Sequence, residues 1–178
     1  MLSRRIATAT LAFGLVLACA DTARTQQDHA TPQEVVQKVR QAARDVAHAG
    51  EAGLAAFSSK NATSVWQDSY TFVLSCEGAT AVTVAHPIRP ELKGKPTAQI
   101  VTFGPKPGEQ IAADMCAAGG RPHGGWVAYD FPKPGETQAT RKVSYMLAAQ
   151  GTPYVVGAGI YDEKAKVEDL DRLAGGQR

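Results

Sequence analysis

The last third of the chain contains three runs of β-branched and aromatic residues, and these runs constrain the fold more than any other feature. They lie near residues 124–131, 141–149 and 153–161, and the connections between them contain proline and glycine. Such runs, separated by short turn-forming segments, predict neighbouring antiparallel strands. Lysine and tyrosine recur along the runs, so we expect one face of this sheet to line a small polar and aromatic pocket.

Helical patterns lie on both sides of these strands. Thr31-Pro32-Gln33-Glu34 has the order of an N-cap, a proline at the first helical position and a capping-box glutamate. Valine and alanine then recur at helical spacing and form one apolar stripe: Val35, Val39, Ala42 and Val46. A second helical piece is predicted at residues 54–57, and a short charged helix is predicted at residues 164–173.

The middle of the chain contributes two further strands and a proline-rich excursion. Residues 70–74 and 80–86 are predicted to pair across a Glu-Gly turn. Residues 87–107 contain five prolines and are predicted to leave the sheet, apart from one short strand at residues 99–103. A helix is predicted at residues 109–118. Together these elements predict an α+β domain with an antiparallel sheet of about five strands and a long N-terminal helix packed on it.

The N-terminal 20 residues have the pattern of a secretory signal. Arg4 and Arg5 precede an uncharged, mostly apolar run that is too short to span a membrane. Ala18-Cys19-Ala20 fits an ordinary cleavage site, whereas Val16-Leu17-Ala18-Cys19 approximates a bacterial lipobox in which Cys19 is lipidated. Both alternatives remain open. The protein is therefore predicted to be periplasmic or secreted, and it would be attached to a membrane only through a lipid on Cys19.

The rest of the chain is predicted to form one domain. Residues 21–30 are polar and are predicted to be a tether, residues 31–173 the domain, and residues 174–178 a frayed tail. The formal net charge of +2 equals the two arginines of the signal, so the domain itself is balanced. A nucleic-acid partner would require clustered basic charge, and none is predicted.

Two cysteines remain beyond the signal, Cys76 and Cys116. In an oxidising compartment such a pair favours one disulfide. The Cys and His spacings match neither a c-type haem attachment site nor a zinc site, so no cofactor or metal is expected. The chain also lacks a phosphate loop and a Gly-x-Ser-x-Gly turn, and we expect no enzymatic activity.

Several short motifs follow one another in a characteristic order. After the capped helix come Ala85-His86-Pro87, Gly-Gly-Trp-x-x-Tyr at 124–129, Lys-x-Ser-Tyr at 142–145 and Gly-x-Gly-Ile-Tyr at 157–161. Over about residues 31–163 this order resembles the single Cache domain of the second type, an extracytoplasmic sensor module. The resemblance implies a PAS-like sheet with a pocket on one face, which commonly takes small carboxylates or similar metabolites.

In many relatives the domain is joined to a membrane helix and a signalling output. No second apolar run follows the domain here, so we expect the protein to act through a membrane signalling partner. A structural or interaction module of the cell envelope, without any ligand, is the alternative function.

A buried carboxylate requires a cation and neutral hydrogen-bond donors, and the resemblance indicates which residues supply them. The candidate ligand-binding residues are Lys142, Tyr145, Tyr70, His86, Trp126 and Tyr129. Strict strand alternation would place Lys142 with Ser144 rather than with Tyr145, and it would separate Trp126 from Tyr129. A common pocket for all six therefore requires a bulge or a position near a strand edge. Two roles remain open for His86: contact with the ligand, or a structural role at the end of a strand.

Overall fold

A computed structural model describes residues 28–78 and 80–176. The predicted signal and the predicted lipidation site at Cys19 lie outside the described residues. The helices are α1 (Pro32–Ala49), α2 (Thr97–Ile100), α3 (Gly108–Gly119) and α4 (Val167–Gly176). The strands are β1 (Val65–Trp66), β2 (Ser69–Tyr70), β3 (Phe72–Ser75), β4 (Val82–Ala85), β5 (Gly125–Pro132), β6 (Ala139–Ala148) and β7 (Tyr154–Tyr161). Short 3₁₀ helices occupy Gly50–Phe57 and Pro90–Leu92.

The core of the domain is a five-stranded sheet with the order β4-β3-β7-β6-β5. All of its neighbouring strands are antiparallel, and β1 and β2 form a separate two-stranded ribbon. Strands β5, β6 and β7 form consecutive hairpins, whereas β3 pairs with β7 at the other end of the chain. The predicted α+β class, the antiparallel sheet of about five strands and the packed N-terminal helix are confirmed.

Helix α1 begins where its capping signal predicts. The Thr31 side chain accepts a hydrogen bond from the Glu34 backbone N–H, and the Glu34 carboxylate accepts one from the Thr31 N–H. The apolar stripe of α1 is buried against β6 and β7. Because capping satisfies N–H groups that have no partner within the helix, local sequence is sufficient to specify the start of α1.

The sheet separates two apolar clusters. One cluster lies under α1 and includes Val143, Tyr145 and Trp126. The other lies under α3 and the excursion after β4, and includes Tyr129 and Met146. Successive residues of a strand alternate between these clusters, as the pleat of a β-sheet requires. The second cluster contains the candidate site described below.

Two local predictions are wrong. Residues 99–103 do not form a strand, because a short helical turn at Thr97–Ile100 begins after Pro96 and packs against α3. The segment is too short to distinguish the two periodicities, and tertiary packing decides between them. Helix α4 starts three residues later than predicted and extends to Gly176, so the frayed tail does not begin at residue 174. Ala174 is buried, and its carbonyl accepts a hydrogen bond from Arg40.

Cys76 and Cys116 form a disulfide, as predicted, with a Cα–Cα distance of 5.7 Å. Cys76 directly follows β3, and Cys116 lies in the last turns of α3. The bond therefore attaches α3 to the sheet at the residue after Met115, whose side chain is buried in the second cluster. The disulfide thus holds the helix that covers the candidate site.

Candidate ligand-binding site

Lys142 lies on β6, on the sheet face that packs against α3. It is paired with Tyr129 of β5 on one side and with Tyr161 of β7 on the other. Its side chain is fully buried. The ammonium nitrogen Nζ lies near the centroids of four aromatic rings, at 3.9 Å from Tyr70, 5.1 Å from Tyr161, 5.5 Å from Phe72 and 5.6 Å from Phe131. We call these four rings the aromatic cage.

Two features produce the aromatic cage: the alternation of side chains along the strands, and two glycines on β7. Tyr129 and Phe131 are two residues apart on β5 and share the face of Lys142. At Gly159 a Cβ atom would lie 3.0 Å from Cε of Lys142 and 2.5 Å from Oγ of Ser144. At Gly157 a Cβ atom would lie 2.6 Å from the Phe72 ring. The two glycines therefore leave the space in which Lys142 and Phe72 lie.

The ammonium group of Lys142 has no hydrogen-bond partner among the described residues. Burial lowers its pKa from the ordinary value of 10.5 to about 7, and the negative charge of Asp68 opposes this shift. The Asp68 carboxylate already accepts hydrogen bonds from the Ala30 N–H and the ring of His29. Cation–π contacts compensate in part for lost hydration, but they do not replace hydrogen bonds. The site thus contains a buried cation that lacks a direct anionic partner.

The tyrosine and histidine side chains around Lys142 are neutral near pH 7. Burial raises the pKa of Tyr70 and of Tyr129, and it raises that of Tyr161 as well. Burial, reinforced by the charges of Lys142 and Arg89, lowers the pKa of His86 to about 3. Near pH 7 these uncharged hydrogen-bonding groups surround Lys142, and the Arg89 guanidinium lies beside the Phe131 ring of the same site.

His86 follows β4 and packs among the rings of the site. Its ring centroid lies 4.8 Å from that of Tyr70 and 6.4 Å from that of Phe131. Its Nδ1 accepts a hydrogen bond from the Arg89 backbone N–H at 3.1 Å. A nitrogen that accepts in this way carries no proton, so Nε2 is the donor of the neutral ring.

Two cavities border rings of the aromatic cage, and Lys142 itself lines neither of them. The inner cavity has a volume of about 20 Å³ and is lined by His86, Leu74, Val101 and Met115 together with cage rings. A space of this size holds one water-sized group. The outer cleft has a volume of about 280 Å³ and is bordered by the basic residues Lys60, Arg89 and Lys133 and by Glu136. Tyr70 and Phe131 border both spaces, so these rings separate the basic outer cleft from the apolar inner cavity.

The structure brings together four of the six predicted site residues: Lys142, Tyr70, His86 and Tyr129. It places Trp126 and Tyr145 on the opposite face, under α1, so the expected common pocket of all six is incorrect. Strand β6 pairs with β5 and β7 in unbroken register, and a bulge that would bring the six residues into one pocket is absent from it. Tyr145 donates a hydrogen bond to the His123 carbonyl, and its ring lies 5.5 Å from that of Trp126.

Sequence reasoning missed four residues of the site: Phe72, Phe131, Tyr161 and Arg89. Strand alternation could have predicted Phe131 as a site residue, because Phe131 and Tyr129 lie on the same face of β5. Tyr161 is a neighbour of Lys142 only through the pairing of β6 with β7. Arg89 belongs to the excursion after β4, and its guanidinium lies 5.8 Å from the centroid of the Phe131 ring. No local pattern indicates that contact.

The described residues contain no group of three or more His, Cys, Asp or Glu side chains that could hold a metal ion. Among these residues, no helix combines the length and the apolar character that crossing a bilayer requires.

The family model for the Cache domain matches residues 61–166, which is more than half of the chain. The chain therefore belongs to the Cache domain family, and the predicted family is confirmed. The matched region contains all seven strands and the whole of the aromatic cage.

Three solved structures share the fold. One is a Cache chemosensory domain studied for carboxylic acid recognition, with 21% sequence identity and a TM-score of 0.53, covering 74% of this chain and 92% of that chain. The second is a methyl-accepting chemotaxis protein from Vibrio parahaemolyticus RIMD 2210633, with 20% identity and a TM-score of 0.55, covering 78% and 90%. The third is a periplasmic sensor domain of a chemotaxis protein, with 24% identity and a TM-score of 0.52, covering 74% and 93%.

Proposed function

We propose that this Cache domain binds a short organic acid at the aromatic cage and serves as the sensing module of a membrane signalling partner. The observation that carries the proposal is the ammonium of Lys142, which is fully buried and lacks a hydrogen-bond partner among the described residues. A carboxylate would supply the missing charge and hydrogen-bond acceptors. Carboxylic acid recognition by one Cache domain of similar fold supports this ligand class.

The two cavities suggest how the ligand is oriented. The basic outer cleft favours the approach of an anion, because Lys60, Arg89 and Lys133 border it. The inner cavity is apolar and small, so it suits a short alkyl end and disfavours a second carboxylate. In this arrangement the carboxylate lies at the cage beside Lys142. The Tyr129 hydroxyl is hydrogen-bonded to Ser144 and the Tyr70 hydroxyl to that of Tyr161, so each would exchange its partner to donate to the ligand. We therefore propose small monocarboxylic acids as ligands.

Calorimetry with a panel of short organic acids at pH 6.5 tests this site. We expect Lys142→Met to weaken binding by about 1.5–3 kcal/mol, the range for a charge-assisted hydrogen bond, which is about 10- to 150-fold in Kd. Lys133→Met is the comparison variant, because the Lys133 ammonium also lies near the Tyr161 ring, at 5.9 Å, but borders the outer cleft; it removes one of three basic residues there, so we expect a smaller loss of affinity than for Lys142→Met. Equal affinities of wild type and Lys142→Met would contradict the proposed site.

A structural or interaction module of the cell envelope remains the second candidate function. The observation in its favour is that the four rings of the cage already surround Lys142, and the inner cavity is only about 20 Å³. In that case the cage would be a filled part of the core. The absence of any binding or thermal stabilisation across the acid panel would favour this function, since a ligand at 100 times its Kd stabilises a protein by about 2.7 kcal/mol.

We also propose export to the periplasm or the cell surface, on the basis of the signal pattern and the disulfide between Cys76 and Cys116. If the lipobox is used, metabolic labelling with a fatty-acid analogue should label the wild type and should not label Cys19→Ala. If ordinary cleavage occurs, neither protein should be labelled, and the mature chain should begin at Asp21. Exported protein whose intact mass still includes Met1 would contradict the signal assignment.

A further inference from the structure

We propose that Lys142 is also a covalent site, at which small 2-oxo acids such as pyruvate or glyoxylate form a reversible imine with its ε-amino group. This inference rests on the proposed function, because it places the same class of short acid in the same pocket. Imine formation would distinguish a 2-oxo acid from the corresponding 2-hydroxy acid, which ion pairing with the carboxylate alone does not do.

The first argument is the surroundings of the amine. A lysine that reacts with carbonyl compounds must be able to lose its proton, and it does so when it is desolvated and unpaired. Lys142 is fully buried and has no hydrogen-bond partner among the described residues. Rings contact it on several sides, with Tyr70 the nearest at 3.9 Å. The lowered pKa agrees with this geometry, since it gives a large neutral fraction at pH 7.5.

The second argument is the position of a second cation. The Arg89 guanidinium lies 5.8 Å from the centroid of the Phe131 ring, and the Lys142 ammonium lies 5.6 Å from the same centroid. A 2-oxo acid carries its carboxylate on the carbon next to its carbonyl. In the proposed pose the carboxylate pairs with Arg89 at the outer cleft, and the carbonyl carbon enters the aromatic cage to reach Lys142, which itself lines neither cavity. The small inner cavity then accepts only hydrogen or a methyl-sized substituent.

The reaction needs no oxidant, reductant or cofactor. The lone pair of the neutral amine attacks the carbonyl carbon, a C–N bond forms, and a proton passes from nitrogen to the former carbonyl oxygen. The resulting carbinolamine loses that oxygen as water, together with the second proton of the nitrogen, and a C=N bond remains. The balance is one amine and one 2-oxo acid giving one imine and one water, and hydrolysis reverses it.

Reductive trapping tests the proposal on the oxidised mature protein. The protein is incubated with pyruvate and cyanoborohydride at pH 7.5, and the modified lysines are located by peptide mapping. We expect Lys142 to be modified at least about tenfold faster than Lys133, because desolvation of the fully buried Lys142 favours its neutral, nucleophilic amine. Lys133 serves as the internal control, and Lys142→Met should lose the rapid phase.

Lactate is the matched ligand, because it has the carboxylate and carbon chain of pyruvate with a hydroxyl in place of the carbonyl. We expect lactate to slow the trapping of pyruvate without being trapped itself. If lactate binds in a Lys142-dependent manner and pyruvate leaves Lys142 unmodified, the imine proposal is wrong and the proposed function stands. If neither acid binds, both are wrong. Equal rates at Lys142 and Lys133 would also overturn the imine proposal.

Discussion

Replacement of Lys142 by methionine is expected to stabilise the protein, raising the free energy of unfolding by about 1–4 kcal/mol at pH 6.5, the range found when buried ion pairs are replaced by apolar groups of similar volume. Below pH 7 the native protein carries a buried ammonium that has lost its hydration. Methionine is unbranched and only one heavy atom shorter than lysine, and it can contact the same rings without that cost. The variant should therefore lose ligand affinity and gain stability.

The stabilisation by Lys142→Met should depend on pH. Burial lowers the pKa of Lys142 to about 7 in the folded protein, whereas the unfolded chain has the ordinary value of 10.5. Between these values the unfolded state binds more protons than the folded state, so the wild-type free energy of unfolding rises with pH. The advantage of the variant is largest below pH 7 and decreases as the pH rises towards 10.

Urea denaturation of wild type, Lys142→Met and Lys133→Met from pH 6 to pH 9.5 measures this effect. Lys133→Met should change stability by less than about 0.5 kcal/mol at every pH, as expected for a surface position. A Lys142→Met variant that is less stable than wild type at pH 6.5 would show that the cation–π contacts outweigh the desolvation cost, and it would remove the main argument for a missing anionic ligand.

Loss of the disulfide is expected to have the largest destabilising effect. The bond joins residues 40 positions apart, and the chain-entropy model gives a stabilisation of about 4 kcal/mol for such a loop. Cys76→Ser should lower the free energy of unfolding by about that amount and should make Cys116 reactive towards a thiol reagent. In the oxidised wild type both residues should be protected, and rapid modification of both would contradict the bond.

The disulfide should also affect the site, because α3 contributes Met115 to the inner cavity next to Cys116. A Cys76→Ser/Cys116→Ser double variant removes the bond without leaving a free thiol. We expect its stability to match that of Cys76→Ser, with weaker binding of short acids. Equal binding by the double variant and wild type would show that α3 holds its position without the bond.

These two predictions describe opposite contributions to one site. The uncompensated charge of Lys142 lowers stability where the ligand is proposed to bind, and the disulfide raises stability in the helix that covers that pocket. Such a cost is common at binding sites, where a protein retains an unfavourable group for its function. In this protein the group is a cation that only a bound anion would fully compensate.

Most of the fold was predictable because its signals are local. The Thr31–Glu34 capping box, the glycine- and proline-containing turns and the period-2 runs each act over a few residues. The structure confirms α1, α3, the β3–β4 pairing and the three long strands. Residues 99–103 were assigned wrongly because that segment has no repeated pattern, and its helical turn depends on contact with α3.

The site was predictable only in part, and the reason is the pairing of distant strands. Sequence alone determined the residue types, including one lysine and several tyrosines on strands. The alternation of side chains along a strand also predicted that Lys142 and Tyr145 face opposite sides of the sheet. Only the tertiary structure decided which rings surround the lysine, because Tyr70 and Tyr161 are brought together by strands far apart in the chain. The same packing removes water from Lys142, and burial of that kind shifts its pKa and makes it a candidate binding group.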